Sequence, residues 1–196
     1  MKLVESIRRS LYEAERVAEA TRNDDRLIEA VAAFAERAAT PLEAGGRILA
    51  CGNGGSLSDA MHFAAECSGR FRAERSPLSA LALSDPVAMS AIANDYGFEE
   101  VFARQVEALA RPGDLLVLLS TSGDSPNLVR AAETARARQV ATVALLGRGG
   151  GKLHSQVDLP IVVPGATTSD KVQEVHIQLL HACIEALEVR LGVSNL

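Results

Sequence analysis

The chain has no tryptophan, and aromatic residues make up only 4% of its 196 positions, so it offers no platform of rings on which bases could stack. It has few cysteines: Cys51, Cys67 and Cys183 are widely spaced and form no C-x-x-C pair, so neither a disulfide framework nor a structural zinc knuckle is indicated, and a reduced cytosol fits best. It has no excess of positive charge. With net charge -5 and a pI near 5.4 there is no field to attract nucleic acid or an anionic membrane, so any phosphate site must be local. A long apolar run is missing too: the opening MKLVESIRRSLYEAERVAEA is amphipathic and broken by charges, against a signal peptide or membrane span, and a soluble, cytoplasmic protein is expected. Repeats, low-complexity tracts and linkers are absent. At 47% hydrophobic and 23% charged, the composition suits a single domain over 1–196, with a helical leader over about 1–44 and an α/β core over about 45–196.

What is present is an alternation. Leu3, Val4, Ile7, Leu11, Ala14 and Val17 recur at helical spacing, and Ile28, Val31, Ala32, Phe34 and Ala35 do so again after the polar break Asn23-Asp24-Asp25. That helical pair must bury its stripe on its own sheet or on another subunit, and the subunit interface is the expectation. Beyond Gly45-Gly46, short apolar runs at 48–51, 78–83, 115–119, 140–146 and 157–163 alternate with helical patterns. Such runs, joined by connections long enough for crossovers, predict an α/β fold: a five-stranded parallel sheet flanked by helices on both faces. The last helix is predicted over about 169–191, apolar around most of its girdle, which places it inside an assembly. Ligands of such sheets bind beyond the carboxyl ends of the strands, where the loops 52–56 and 120–125 stand out.

Ser120-Thr121-Ser122-Gly123-Asp124-Ser125-Pro126 follows a buried run and opens a helix. Hydroxyls and free N–H groups at a helix N-terminus can hold a phosphate without any lysine; an ordinary serine-capped loop is the alternative. Gly52-Asn53-Gly54-Gly55-Ser56 completes neither G-x-G-x-x-G nor a P-loop, which favours a small sugar phosphate over a nucleotide. Ser58 and Asp59 are the expected caps of the next helix. On it His62 and Glu66 stand one turn apart on one face, as a surface ion pair, a proton path or two ligands of a metal. Asn94-Asp95-Tyr96-Gly97 reads as a turn closing a helix that ends near Ala93. His154 reads as solvated, His176 as a packed core histidine, and the loop 147–151 as flexible and without obvious chemistry. His62, Glu66, Gln173 and His181 make a donor set that suits Zn²⁺, while Glu66 and His181 could instead move protons. Gln173 and His181 lie about 12 Å apart along one helix, so both reach one ion only if their side chains lean together or another subunit contributes.

CGNGGSLSDAMHFAAECSGRF, AIANDYGFEEVFARQVEAL, STSGDSPN and KVQEVHIQLLH, in this order, resemble the sugar isomerase (SIS) domain family over nearly the whole chain. The resemblance implies a flavodoxin-like three-layer sandwich and an aldose–ketose isomerase. Its implied substrate is D-sedoheptulose 7-phosphate, turned into D-glycero-D-manno-heptose 7-phosphate as the first step toward activated heptose for bacterial lipopolysaccharide or related glycans. It further implies a homotetramer with active sites between subunits. By the same resemblance Ser120, Thr121, Ser122 and Ser125 grip the phosphate, and Asn53, Gly54, Gly55, Ser56, Asn94, Asp95 and Gln173 hold the sugar chain. Asp170 falls at another polar site position. Glu66, also a substrate contact, and His181 are the implied acid/base pair, and His62, Glu66, Gln173 and His181 the implied ligands of one zinc ion. Leu57-Ser58 and the loop 165–169 depart from the pattern without touching the acid/base groups.

Two other functions fit the same architecture. A binding protein like the DnaA initiator-associating protein would be expected to lack Glu66 or His181, and this chain keeps both. An isomerase of a different phosphosugar is the other, since a phosphate loop does not read chain length. A sugar-sensing DNA-binding regulator is disfavoured, as no helix-turn-helix or basic stretch accompanies the domain.

Overall fold

Five buried residues in a row, Ile48–Gly52, form strand β1, and the rest of the sheet is laid down on either side of it. The computed structural model describes Met1–Val193. Two helices, α1 (Lys2–Arg22) and α2 (Asp25–Glu43), precede β1, and α3 (Gly55–Ser68) follows it. Then come β2 (Ala80–Ala82), α4 (Pro86–Tyr96), α5 (Ala103–Leu109), β3 (Leu115–Ser120), α6 (Pro126–Ala137), β4 (Ala141–Leu146), β5 (Leu159–Val162) and α7 (Ser169–Arg190). All pairings are parallel, in the order β2-β1-β3-β4-β5, so the expected five-stranded parallel sheet is the one observed.

Because side chains alternate across a strand, each buried run feeds two cores. Ile48 and Ala50 of β1, Leu115, Val117 and Leu119 of β3, and Val143 and Leu145 of β4 face one layer, packed by α2, α3 and α7. Leu49, Cys51, Leu116, Leu118, Ala144 and Leu146 face the other, beneath α6 and the segment around Phe102 and Val106. This is why the strands read as continuous apolar runs rather than alternations. The strand order reverses between β1 and β3, and a crevice opens at their carboxyl ends.

The helical leader divides its loyalties. α2 buries Leu27, Val31, Phe34, Ala35, Ala38 and Ala39 against its own domain, where a subunit interface was expected for the pair. In α1 only Val17 and Thr21 are buried, and Leu3, Val4, Ile7 and Leu11 remain 61–80% exposed. The girdle of α7 is filled by its own domain: Val172, Val175, Leu179, Leu180, Cys183, Ile184 and Leu187 belong to the first core.

Two helix ends differ from expectation. α3 begins at Gly55 with Gly54 (φ 55°) as its cap, so Ser58 and Asp59 lie inside the helix and cap nothing. The glycine turn lets the chain enter the helix at once, with the Ser56 N–H donating to the Asn53 carbonyl. α4 runs on through Asn94 and Asp95 to Tyr96, with Gly97 (φ 92°) as the terminator.

Candidate active site

The crevice between β1 and β3 is a cavity of about 290 Å³ lined by Asn53, Gly54, Gly55, Ser56, Leu119, Ser120, Thr121, Ser125, Leu128, Ser169 and Gln173. No Lys or Arg side chain lines it. Its positive character comes from three helices that begin there: α3 at Gly55, α6 behind Ser125, and α7 at Ser169. Three positive dipole ends meet in one hollow, which suits a phosphate.

The hydroxyl loop is held in shape by its own backbone. Ser120 Oγ accepts from Gly123 N–H at 3.0 Å and Ser122 Oγ from Asp124 N–H at 3.2 Å, which leaves both O–H groups to donate elsewhere. Gly123 passes so near the Gly150 carbonyl that a Cβ could not fit, so the loop after β4 braces the loop after β3. At Gly55 a Cβ would stand 2.6 Å from Gln173 Oε1, so this glycine lets the Gln173 amide lie directly over the start of α3, where its Nε2 is 3.5 Å from Ser56 Oγ.

Farther along the same two helices a second group converges. His62 Nε2 and His181 Nε2 stand 2.9 Å apart, and His62 Nε2 is 3.5 Å from Glu66 Oε1. Gly55 faces Gln173 and His62 faces His181, so α3 and α7 run side by side in the same direction. The His62 and Glu66 side chains are 44% and 25% exposed, open enough for a ligand to reach. Asp59, one turn before His62, has an oxygen with no hydrogen-bond partner; burial pushes its carboxyl up to about 6, with His62 opposing.

Two imidazole nitrogens turned toward each other beside a carboxylate are chemically a fitting donor set for zinc. Among the described residues, no three His, Cys, Asp or Glu side chains already stand as a metal-holding group. Within this chain Gln173 lies in the phosphate cleft, two turns before His181, rather than beside the two imidazoles.

Other expected site residues lie elsewhere in this chain. Asn94 and Asp95 line a separate hollow along α4 and pair with each other at 2.8 Å, apart from the cleft. Ser122 stands at the cleft loop but not among the lining residues, and Asp170 is exposed beside Lys171, with a hydrogen bond from Thr168 lowering its carboxyl. His154 is exposed and His176 is fully buried, both as expected.

Three residues of the cleft escaped the sequence reading. Ser169 joins Thr121 Oγ1 at 3.1 Å, and Arg148 donates to Ser169 Oγ at 2.6 Å, bringing a guanidinium to the rim from the glycine loop that had suggested no chemistry. Arg148 sits at φ 48°, a conformation rarely taken without glycine, and that loop position could have drawn attention. Asn127, within the hydroxyl motif itself, pairs with Asn53 across the cleft floor.

A parallel α/β domain with an anion-binding crevice at its switch point and a carboxylate–imidazole cluster beside it is the class of protein these features define. The SIS domain model matches residues 12–147. The phosphoheptose isomerase of Fusobacterium nucleatum is 49% identical over 79% of each chain, and that of Vibrio cholerae 44% identical over 93% of this chain and 95% of its own. The solved phosphoheptose isomerase of Neisseria gonorrhoeae superposes with a TM-score of 0.89 at 40% identity, over 95% of this chain and 99% of the other. The chain therefore belongs to the SIS domain family, among the phosphoheptose isomerases.

Proposed function

We infer that this chain is an aldose–ketose isomerase that converts D-sedoheptulose 7-phosphate into D-glycero-D-manno-heptose 7-phosphate. The observation that carries this reading is the meeting of Glu66 and His181 around His62, two turns beyond the phosphate cleft along both α3 and α7. Seven residues from Gly55 to His62 and eight from Gln173 to His181 correspond to about 10–12 Å of helix. From its phosphorus to its second carbon an extended heptulose 7-phosphate spans about 9 Å, taking roughly 1.25 Å of advance per single bond. A five-carbon phosphate falls about 2–3 Å shorter on the same count, so the separation favours the longer sugar.

In the reaction a proton leaves C1, a proton is delivered to C2, and a hydroxyl proton passes from O1 to O2 through a cis-enediol, so the overall balance is zero. Glu66 and His181 are the pair assigned to those transfers. Ser120, Thr121, Ser122 and Ser125 with the three helix N-termini fix the phosphate, while Asn53, Ser56 and Gln173 orient the chain, so the reacting carbons are presented with little freedom left. Zinc, if bound, would be held by His62, Glu66 and His181, with Gln173 of this or a neighbouring copy completing the set, and would polarise the carbonyl oxygen.

The same reading includes a homotetramer with sites shared between subunits, supported by the bare stripe of α1 and by Asn94 and Asp95, which need a neighbouring copy to reach a cleft. The product would serve as a precursor of activated heptose for lipopolysaccharide or related glycans.

Incubation with sedoheptulose 7-phosphate tests the reading. Aldose heptose phosphate should form, faster than the aldoses made from ketopentose or ketohexose phosphates; no turnover of the heptulose overturns it. For the metal, added Zn²⁺ should raise the melting temperature of chelator-treated protein and H62A/H181A should abolish the rise. An unchanged melt in the parent protein refutes zinc binding independently of any activity.

A further inference from the structure

Asn53 lines the cleft on the loop after β1, and Asn127 lies in the first turn of α6, after β3. Their side-chain amides face each other in a closed ring: Asn53 Nδ2 donates to Asn127 Oδ1 and Asn127 Nδ2 donates to Asn53 Oδ1, each at 2.9 Å. Asn127 is only 2% exposed, so it contributes no surface of its own to a ligand. A lone asparagine at a cleft can turn its amide end for end, presenting either a donor or an acceptor. The ring ties the two amides together: a flip of one alone would set N–H against N–H and oxygen against oxygen, so Asn53 can turn only if the buried Asn127 turns with it. One N–H and one oxygen lone pair of Asn53 are used in the ring, and the other N–H and lone pair remain for the cleft in fixed directions. The ring also ties together the two loops that make opposite sides of the switch-point crevice.

We propose that Asn127 is a positioning residue for substrate: through its reciprocal amide pair it fixes the orientation in which Asn53 presents its hydrogen-bonding groups to the phosphosugar. This rests on the isomerase reading above, since it assigns Asn127 a part in holding that substrate. A bland alternative is that Asn127 only fills space beneath the loop.

The two are separated by Asn127→Asp. A protonated carboxylic acid has the same complement as an amide, with the O–H donating to Asn53 Oδ1 and the C=O accepting from Asn53 Nδ2, so the ring survives at low pH. Once ionised, the carboxylate turns an oxygen toward Asn53 Oδ1 and the ring opens. The ratio of the KM of N127D to that of the parent protein should therefore lie near one at the acid end of the working range and climb roughly tenfold as pH rises, about the strength of one oriented hydrogen bond. Turnover should change by no more than about threefold if only substrate positioning is affected. Taking the ratio cancels the titrations of substrate phosphate and of the acid/base pair, which both proteins share. Asn127→Ala should raise KM at all pH values, and in an Asn53→Ala background neither Asn127 substitution should add a further penalty. Melting temperatures at both pH extremes identify any unfolded variant, and calorimetric binding of sedoheptulose 7-phosphate gives the same ratio without turnover. A ratio flat with pH in folded N127D, or a full penalty from Asn127→Ala added to Asn53→Ala, overturns the positioning role while leaving the isomerase intact. Parent protein that neither binds nor converts the heptulose overturns the isomerase reading and this role together.

Discussion

Glu66 and His181 come from residues 115 apart in the chain and are joined through one imidazole, His62, at contacts of 3.5 and 2.9 Å. If they are the proposed acid/base pair, removing either should act on the chemical step: Glu66→Gln and His181→Ala should each lower kcat by about 10²–10⁴-fold with KM changed far less. Ser122→Ala, at the hydroxyl loop, should chiefly raise KM. Steady-state kinetics checks all three, and unchanged kcat in both of the first pair removes their assignment. His176 supplies a different residue-scale prediction. It is fully buried, with Nε2 donating to the Leu146 carbonyl at 3.3 Å and Nδ1 unpartnered, and burial lowers its pKa from 6.5 to about 4. Between those values the unfolded chain binds a proton that the folded chain refuses, so stability falls as pH falls, by on the order of 3 kcal/mol over the whole window. Asp59 works the other way: its folded carboxyl, lifted from 3.8 to about 6, keeps a proton that the unfolded chain releases, so that contribution falls as pH rises. His176→Gln removes only the first effect, and urea midpoints at pH 6.5 and 4.5 should drop clearly less in the variant than in the parent protein. His176 was legible as a core residue because a lone imidazole amid Val172, Val175 and Leu179 has little else to do; Asn127, Ser169 and Arg148 were not, because their partners lie 21 to 74 residues away and a sequence does not display such pairings.

At the scale of the elements, the parallel sheet was legible because a strand covered on both faces leaves an unbroken apolar run, and all five runs became strands. Their ends were less so: the run 78–83 shortened to Ala80–Ala82 at the sheet edge, and the start of α3 was misread because a glycine turn replaced the side-chain cap that Ser58 and Asp59 suggested. No pattern announced how α3 is held against α7. Arg75, whose side chain is 2% exposed, donates from Nε to Glu188 Oε1 at 2.6 Å, from Nη1 to the Cys67 carbonyl at 2.8 Å, and from Nη2 to the Glu66 carbonyl at 2.8 Å. One guanidinium thus closes the last turn of the helix that carries Glu66 and locks it to a carboxylate two turns beyond His181. Arg75→Met leaves Glu188 buried without a partner and should cost about 3–5 kcal/mol of unfolding free energy. In Arg75→Met/Glu188→Met no charge is stranded, and part of that loss should return, with the remainder reporting the lost hydrogen bonds to the carbonyls of Glu66, Cys67, Gly69 and Ser76. Denaturant titration checks it; a double variant as unstable as the single would mean that the charge pair is not what the clamp depends on.

For the molecule as a whole, the leader was expected to bury its apolar side on another subunit, although a helix states that it has such a face but not what covers it. The structure divides the answer, with α2 satisfied within the domain and α1 not. Leu3, Val4, Ile7 and Leu11 repeat at three- and four-residue spacing along one side of α1, which gives a continuous stripe rather than scattered exposure, and Val87, Tyr96 and Phe98 add further bare apolar surface near α4. Burying a side chain such as Ile7 or Leu11 is worth about 1.5–3 kcal/mol, so a stripe repeated in every copy of a symmetric assembly is a strong drive to associate. Asn94 and Asp95 on α4 would then reach the cleft of another copy, and association and turnover would be linked. Ile7→Asp/Leu11→Asp tests this at positions remote from the cleft and from the His62 cluster. Light scattering should find the parent protein as a tetramer and the variant as smaller species, with the domain still folded by circular dichroism because α1 contributes little but Val17 to the core. Turnover should fall with dissociation and recover as enzyme concentration is raised. A variant that is dissociated yet fully active at every concentration would show that each chain carries a complete site of its own, and would return Asn94 and Asp95 to the role of a helix terminus.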